Sequence, residues 1–384
     1  AGPAREPLPG RVGPAASAAA LESGARILTP LHVRALPQHL RGFQPYFAKY
    51  VPVLFSGCAG CRGVQVVATS AVPDFKVQRV ANVLAEYLDN DEDGALDNPL
   101  VAEELERRGA TMVMFDTFED LESSGFTGVD GFTWQDVAGV ETGGNRSLRA
   151  RLCLGDGIAS DDSALRCTYK PSRICDAPLE EALHLVTDVG YAGVYPSLFG
   201  TSPGSAAAVA MDGQVGGCGF ASHDTPLRRW SRLRFPDCNG TYHYSDESCG
   251  YGCLVTEYLH HMVASQNGEY TWQRADLLDA SRSLCGGEGG RRAAEWELCR
   301  TQPQGGLAAS REALRRGDPD GHGLVFDPEF RMPREMPDGR YTPPGADAQP
   351  AALGAEAAAP ALWEFGGFAL SRSVRRAARA ARAA

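Results

Sequence analysis

The stretch VQVVATSAV (residues 64–72) alternates and is rich in β-branched side chains. That pattern predicts a strand, because side chains at period two line one face of a pleated sheet. Directly after it, PDFKVQRVANVLAEYLDND places Val77, Val80, Val83, Leu84, Tyr87 and Leu88 at the i, i+3, i+4, i+7 spacing of an amphipathic helix. A chain that changes period so abruptly has to join sheet and helix in one core. NPLVAEELERRGATMVMF makes the reverse change, a helix running into a second strand. Further on helices dominate: DAPLEEALHLVTDVGY, PGSAAAVAMDGQ, GYGCLVTEYLHHMVASQNG, TWQRADLLDASRSL and GGLAASREALRRG. Residues 125–175 are rich in Gly and Asp and show no period. The expected fold is α+β: a mainly helical single domain with a small sheet.

Composition bounds that domain. Residues 1–30 and 346–384 are rich in Ala, Gly, Pro and Arg without apolar periodicity. The first is expected to be disordered and the second to be a low-complexity Ala/Arg-rich tail. Residues 31–345 are left as the globular part, long enough to bury a core of its own. Eleven cysteines are spread along it instead of clustering as paired zinc knuckles, which predicts disulfides in an oxidising compartment. Cys249 and Cys253 flank a helix start and are expected to tie it down. Cys58 and Cys61, in CAGC, precede a strand and not the helix of a redox motif, so a local disulfide is expected there too. Asn145 and Asn239 open Asn-x-Ser/Thr sequons. Cysteines and sequons together predict a secreted or lumenal glycoprotein. With 37 basic against 48 acidic residues the net charge is -11, and no basic stripe lies in the globular part, so nucleic acid is not an expected partner. The balance suits cations. No apolar run approaches the roughly eighteen residues of a membrane span.

Two helices carry the chemistry. In the expected helix of residues 177–189, Asp188 lies about 40° from His184, and Glu180 and Glu181 within about 60°, at 100° per residue. His184 and Asp188 have the i, i+4 spacing of zinc ligands, with Glu181 or Glu180 as general base. The bland alternative is strong, because acidic residues suit any first helical turn. The helix of residues 253–265 holds Glu257, His260 and His261 among apolar neighbours, where a charge needs a partner. Together the two helices predict a metal-centred cleft. Glu181-x-x-His184 and Glu257-x-x-His260 also match the paired motif of di-iron bundles. Forty-four glycines and 25 prolines do not suit a regular bundle, so the mononuclear zinc reading ranks first.

A third feature is DNDEDGALD at residues 89–97. Asp89, Asp91, Asp93 and Asp97, with Gly94 at the sharp turn, make the first half of an EF-hand-like calcium loop. Leu100 stands where the twelfth-position glutamate belongs. A second near-match, DPDGHGLVFDPE at residues 318–329, is expected to be a surface turn, because His322, Pro319 and Pro328 disturb it.

The motifs YLDNDEDGALDNP, ATMVMF, EEALHLVTDVGYAGVYPSLFG and CGYGCLVTEYLHHMVAS resemble a family of eukaryotic proteins without an assigned activity, many of them secreted, over about residues 45–345. A wider analogy is to zincin metallopeptidases, through His184, Asp188, Glu257 and Glu181, although the HExxH string is absent. It implies a zincin-like metal-dependent hydrolase, with peptides as the candidate substrate and calcium at the acidic loop. The alternative is a non-enzymatic extracellular calcium-binding protein.

Overall fold

The computed structural model describes residues 24–56, 62–142, 177–215, 242, 249–267 and 311–344. The ends of the chain, Cys58, Cys61, Asn145, Asn239 and the helix expected near residues 271–284 lie outside the described residues. The fold is α+β, with a five-stranded mixed sheet in the order β1 (Arg34–Ala35), β2 (Lys49–Val53), β3 (Val64–Ala68), β4 (Thr111–Phe115), β5 (Trp134–Ala138). β1 with β2 and β2 with β3 are antiparallel, whereas β3 with β4 and β4 with β5 are parallel. Eight helices matter here: α1 (Asp74–Leu88), α2 (Pro99–Arg107), α3 (Phe118–Ser124), α4 (Ala177–His184), α5 (Ala206–Val215), α6 (Tyr251–Asn267), α7 (Arg311–Gly317) and α8 (Pro319–Phe326). No described helix is long and apolar enough to cross a membrane.

Both faces of the central strands are covered. Val64, Val66, Ala68, Met112 and Met114 join the larger core with α1 and α4, while Val67, Val113 and Phe115 face an aromatic cluster around Phe43, Phe47 and Phe126. Phe47 meets Phe115 and Phe126 edge-on, at 5.0 and 5.3 Å. Strands buried on both sides are the rule where crossover helices cover a parallel sheet. The alternation of residues 64–72 thus marks two buried faces and not one wet one. β5 comes from the segment without periodicity. Its polar residues Gln135 and Asp136 hide it from a pattern search, and its ladder to β4 pairs Met112 with Gln135.

Three expectations change. Ala25 and Ile27 are buried, and Arg26 and Ile27 bridge to Ala95 and Phe55, so order begins before the boundary drawn at residue 31. Residues 318–329 are not a surface turn. Asp318 is buried and accepts the Gly321 N–H (2.8 Å) as the cap of α8, and the Tyr258 hydroxyl donates to it as well. The helix expected over residues 177–189 does not end there. After His184 the helix continues as a π-helix, Leu185–Tyr191, and then a short α-turn, Ala192–Val194. A Cβ on Gly190 would meet Val101 Cγ1 at 2.7 Å, so glycine is there to let the π-helix lie against α2.

A strap formed by the last described residues lies along the polar face of α1. Asn82 Nδ2 donates to Gly339 O, Glu86 accepts the Gly339 and Arg340 N–H groups, and Asn90 Oδ1 accepts from Arg334 and Glu335. The polar side chains of a helix that would otherwise face water thereby satisfy an extended backbone.

Candidate metal centre

Helix α4 packs on α1 and β5 and crosses α6, so side chains on the facing sides of α4 and α6 meet inside the protein. Four of them converge. Glu180 and His184 from α4, and Glu257 and His260 from α6, each offer one ligand atom, all within 4.8 Å of one another. The spacings explain the convergence: i, i+4 on α4 and i, i+3 on α6 each put both side chains on one helix face. His184, Glu257 and His260 are buried, and Glu180 is partly so.

His184 Nε2 and Glu257 Oε2 lie 3.5 Å apart, and neither atom has a hydrogen-bond partner. Donor atoms around a tetrahedral zinc, bonded at about 2.0–2.1 Å, stand roughly 3.4 Å from each other. Glu180 Oε1 lies at the same 3.5 Å from His260 Nδ1. The two imidazoles are perpendicular, with centroids 5.5 Å apart. Nitrogen and oxygen donors in this ratio suit a borderline divalent metal better than calcium, which takes oxygen ligands.

The electrostatics describe an ion pair between the helices. Burial alone would push Glu257 up, but the charges of His184, His260 and His261 overcome it and hold the carboxyl well below the usual range. Burial alone would lower His184, but Glu257 and then Glu181 raise it well above an ordinary histidine. A proton on Nε2 therefore fills the role a metal would take, and the two compete for the same lone pair.

Glu181 sits elsewhere. Its Oε2 lies 3.3 Å from His184 Nδ1, the ring nitrogen turned away from Glu257, and accepts a hydrogen bond from Gln135 Nε2 (2.7 Å). Burial, partly offset by His184, pushes it up to about 7. It belongs behind the imidazole and not in the group of four. Asp188 is likewise outside the group. It is exposed, and Thr256 Oγ1 donates to its Oδ1 at 3.5 Å. The angle of 40° assumed α-helical winding, and the wider π-helical turn begins at the residue after His184. His261 is buried with its ring 5.8 Å from Tyr242, on another face than His260, as adjacent helical residues must be.

Cys249 and Cys253 form a disulfide, with Cα atoms 5.3 Å apart. The bridge fixes the start of α6, one turn before Glu257.

The acidic loop forms a second group. Asp89, Asp91 and Asp93 offer oxygens within 4.8 Å of one another. Asp89 accepts the Asp93 and Gly94 N–H groups (3.0 and 2.7 Å) and the Tyr341 hydroxyl (2.6 Å). Gly94 has φ +90°, a conformation only glycine adopts freely. Asp97 is not in the group and accepts the Asn90 N–H (2.6 Å). Burial pushes Asp89 up to about 7 and Asp97 up to about 6. Glu104, one turn into α2, is held by Arg107 and Arg108 and does not replace the missing twelfth ligand.

No family model matches the chain, and neither a curated protein nor a solved structure does.

Proposed function

We propose that the protein is a zinc-dependent hydrolase in which His184, Glu257 and His260 hold the metal and Glu180 serves as the base. The single observation that carries this reading is the facing of His184 Nε2 and Glu257 Oε2 at 3.5 Å, both buried and both without a hydrogen-bond partner. With Nε2 protonated the two atoms form an ion pair, and a divalent cation would take the place of that proton between them. Two histidines and one glutamate are a ligand set of zinc hydrolases. Zinc held there supplies Lewis acidity to a water and lowers its pKa. Glu180, partly exposed and 3.5 Å from His260, is the group able to take a proton at the solvent side. Peptides are the proposed substrate class, by the zincin analogy.

One observation favours a second reading. Glu180 offers an oxygen within 4.8 Å of the other three donors, and a closed set of four protein ligands is the mark of a structural site. Replacing zinc by cobalt tells the two apart. A catalytic centre admits azide or thiocyanate and its visible spectrum shifts, and Glu180→Gln loses about 100-fold or more in peptide hydrolysis while keeping its metal. A spectrum indifferent to anions, with no cleavage of peptides, makes the centre structural.

We further propose calcium at Asp89, Asp91 and Asp93. Alternating carboxylates ahead of a positive-φ glycine support it, because such a loop wraps oxygens around a hard cation.

A further inference from the structure

The residues behind His184 form a chain that leads out of the metal helix into the sheet. Glu181 Oε2 stands 3.3 Å from His184 Nδ1, and the same oxygen accepts from Gln135 Nε2 at 2.7 Å. Gln135 is anchored by the parallel ladder of β5 on β4, opposite Met112, and α4 packs directly on that strand. The other end of the imidazole, Nε2, faces Glu257 at 3.5 Å. A histidine whose Nδ1–H donates to a carboxylate has its lone pair on Nε2, and its basicity there is raised.

We infer that Gln135 and Glu181 are positioning residues for the metal centre: Glu181 fixes the Nδ1–H tautomer of His184 and aims Nε2 at the ion, and Gln135 holds Glu181 to the sheet. This rests on the reading of His184 as a metal ligand. It also gives Glu181 a role that touches neither metal nor water, and it gives a function to a strand residue that lies 46 positions from its partner. Without Gln135, the partly buried Glu181 carboxylate would be free to turn to solvent, and the imidazole could rotate or take the other tautomer.

The test measures zinc affinity of the full chain by competition with a chromophoric chelator, in the parent protein and in Glu181→Gln, Glu181→Leu and Gln135→Leu. Loss of such an outer partner weakens metal binding by about 10- to 100-fold. Glu181→Leu should show that loss. Glu181→Gln keeps an oxygen acceptor and should fall between it and the parent, and Gln135→Leu should show a smaller loss of the same sign. Should Glu181→Leu fail to fold, Gln135→Leu reads the same chain from the strand side. Nitrogen-15 NMR of the zinc-loaded parent should report His184 protonated on Nδ1 and metal-bound on Nε2. Metal on Nδ1 overturns the inference, and so do affinities within about twofold of the parent in both Glu181→Gln and Gln135→Leu. A parent protein that binds no zinc at all brings down the reading of the centre itself, a different failure.

Discussion

His184 Nε2 on α4 and Glu257 Oε2 on α6 face each other across 3.5 Å of protein interior without a hydrogen bond to either atom. The two residues are 73 positions apart in the chain, so the arrangement is a product of the fold and not of a local motif. Four features hold it there. The disulfide of Cys249 and Cys253 pins the start of α6, α4 rests on β5, Gly190 lets the π-helix seat on α2, and Glu181 backs the imidazole.

The disulfide makes a prediction of its own. It closes a loop with a sequence separation of only 4, and loop entropy assigns such a bridge about 2 kcal/mol. Cys249→Ser together with Cys253→Ser should lower unfolding free energy by about that amount. Without prior reduction, a thiol reagent should label neither cysteine in the folded protein. Labelling of both in the unreduced protein would contradict the bridge.

Calcium should stabilise the acidic loop, because a ligand held only by the native state adds about 2.7 kcal/mol at a hundred times its dissociation constant. Adding calcium to the zinc-loaded protein should raise the melting temperature, and Asp91→Asn with Asp93→Asn should remove the response. An unchanged melting temperature in the parent protein would reduce residues 89–94 to a turn.

Glu86 ties stability to pH. Burial, with Asp338 and Glu92 nearby, pushes its carboxyl up to about 8 against the two strap N–H groups that lower it, while an unfolded glutamate titrates near 4.5. The folded chain binds this proton more tightly than the unfolded one. Its contribution is therefore complete below pH 4.5 and is lost as pH rises through about 8. Denaturant unfolding in chelator should show stability falling across that window by on the order of 1 kcal/mol per pH unit from this group. Glu86→Gln should flatten the slope, although the amide offers the strap one acceptor fewer. Equal slopes in both proteins would contradict the assignment.

The helices bearing the centre were legible in the sequence because their apolar spacing is regular. So was the meeting of His184, Glu257 and His260 in one place, because charged groups amid apolar neighbours require partners. What was hidden follows from winding and from long-range packing. A count at 100° per residue places Asp188 beside His184, but π-helical turns begin at Leu185 and carry it to Thr256. Glu180 and Glu181 are equivalent by spacing alone, and only the crossing of α4 over α6 and β5 turns Glu180 towards His260 and Glu181 towards Gln135. Gln135 gave no signal, since a polar residue in a strand without alternation carries no pattern. The strap on α1 joins residues about 250 positions apart through backbone groups, which no side-chain periodicity records.

Metal content tests the central claim most directly. The purified full chain, dialysed against metal-free buffer and measured by plasma mass spectrometry, should retain one equivalent of zinc per chain. His184→Ala and Glu257→Gln should lose it while keeping the calcium response of the acidic loop. Zinc at background in the parent protein, or an undiminished equivalent in His184→Ala, would contradict a metal centre between α4 and α6.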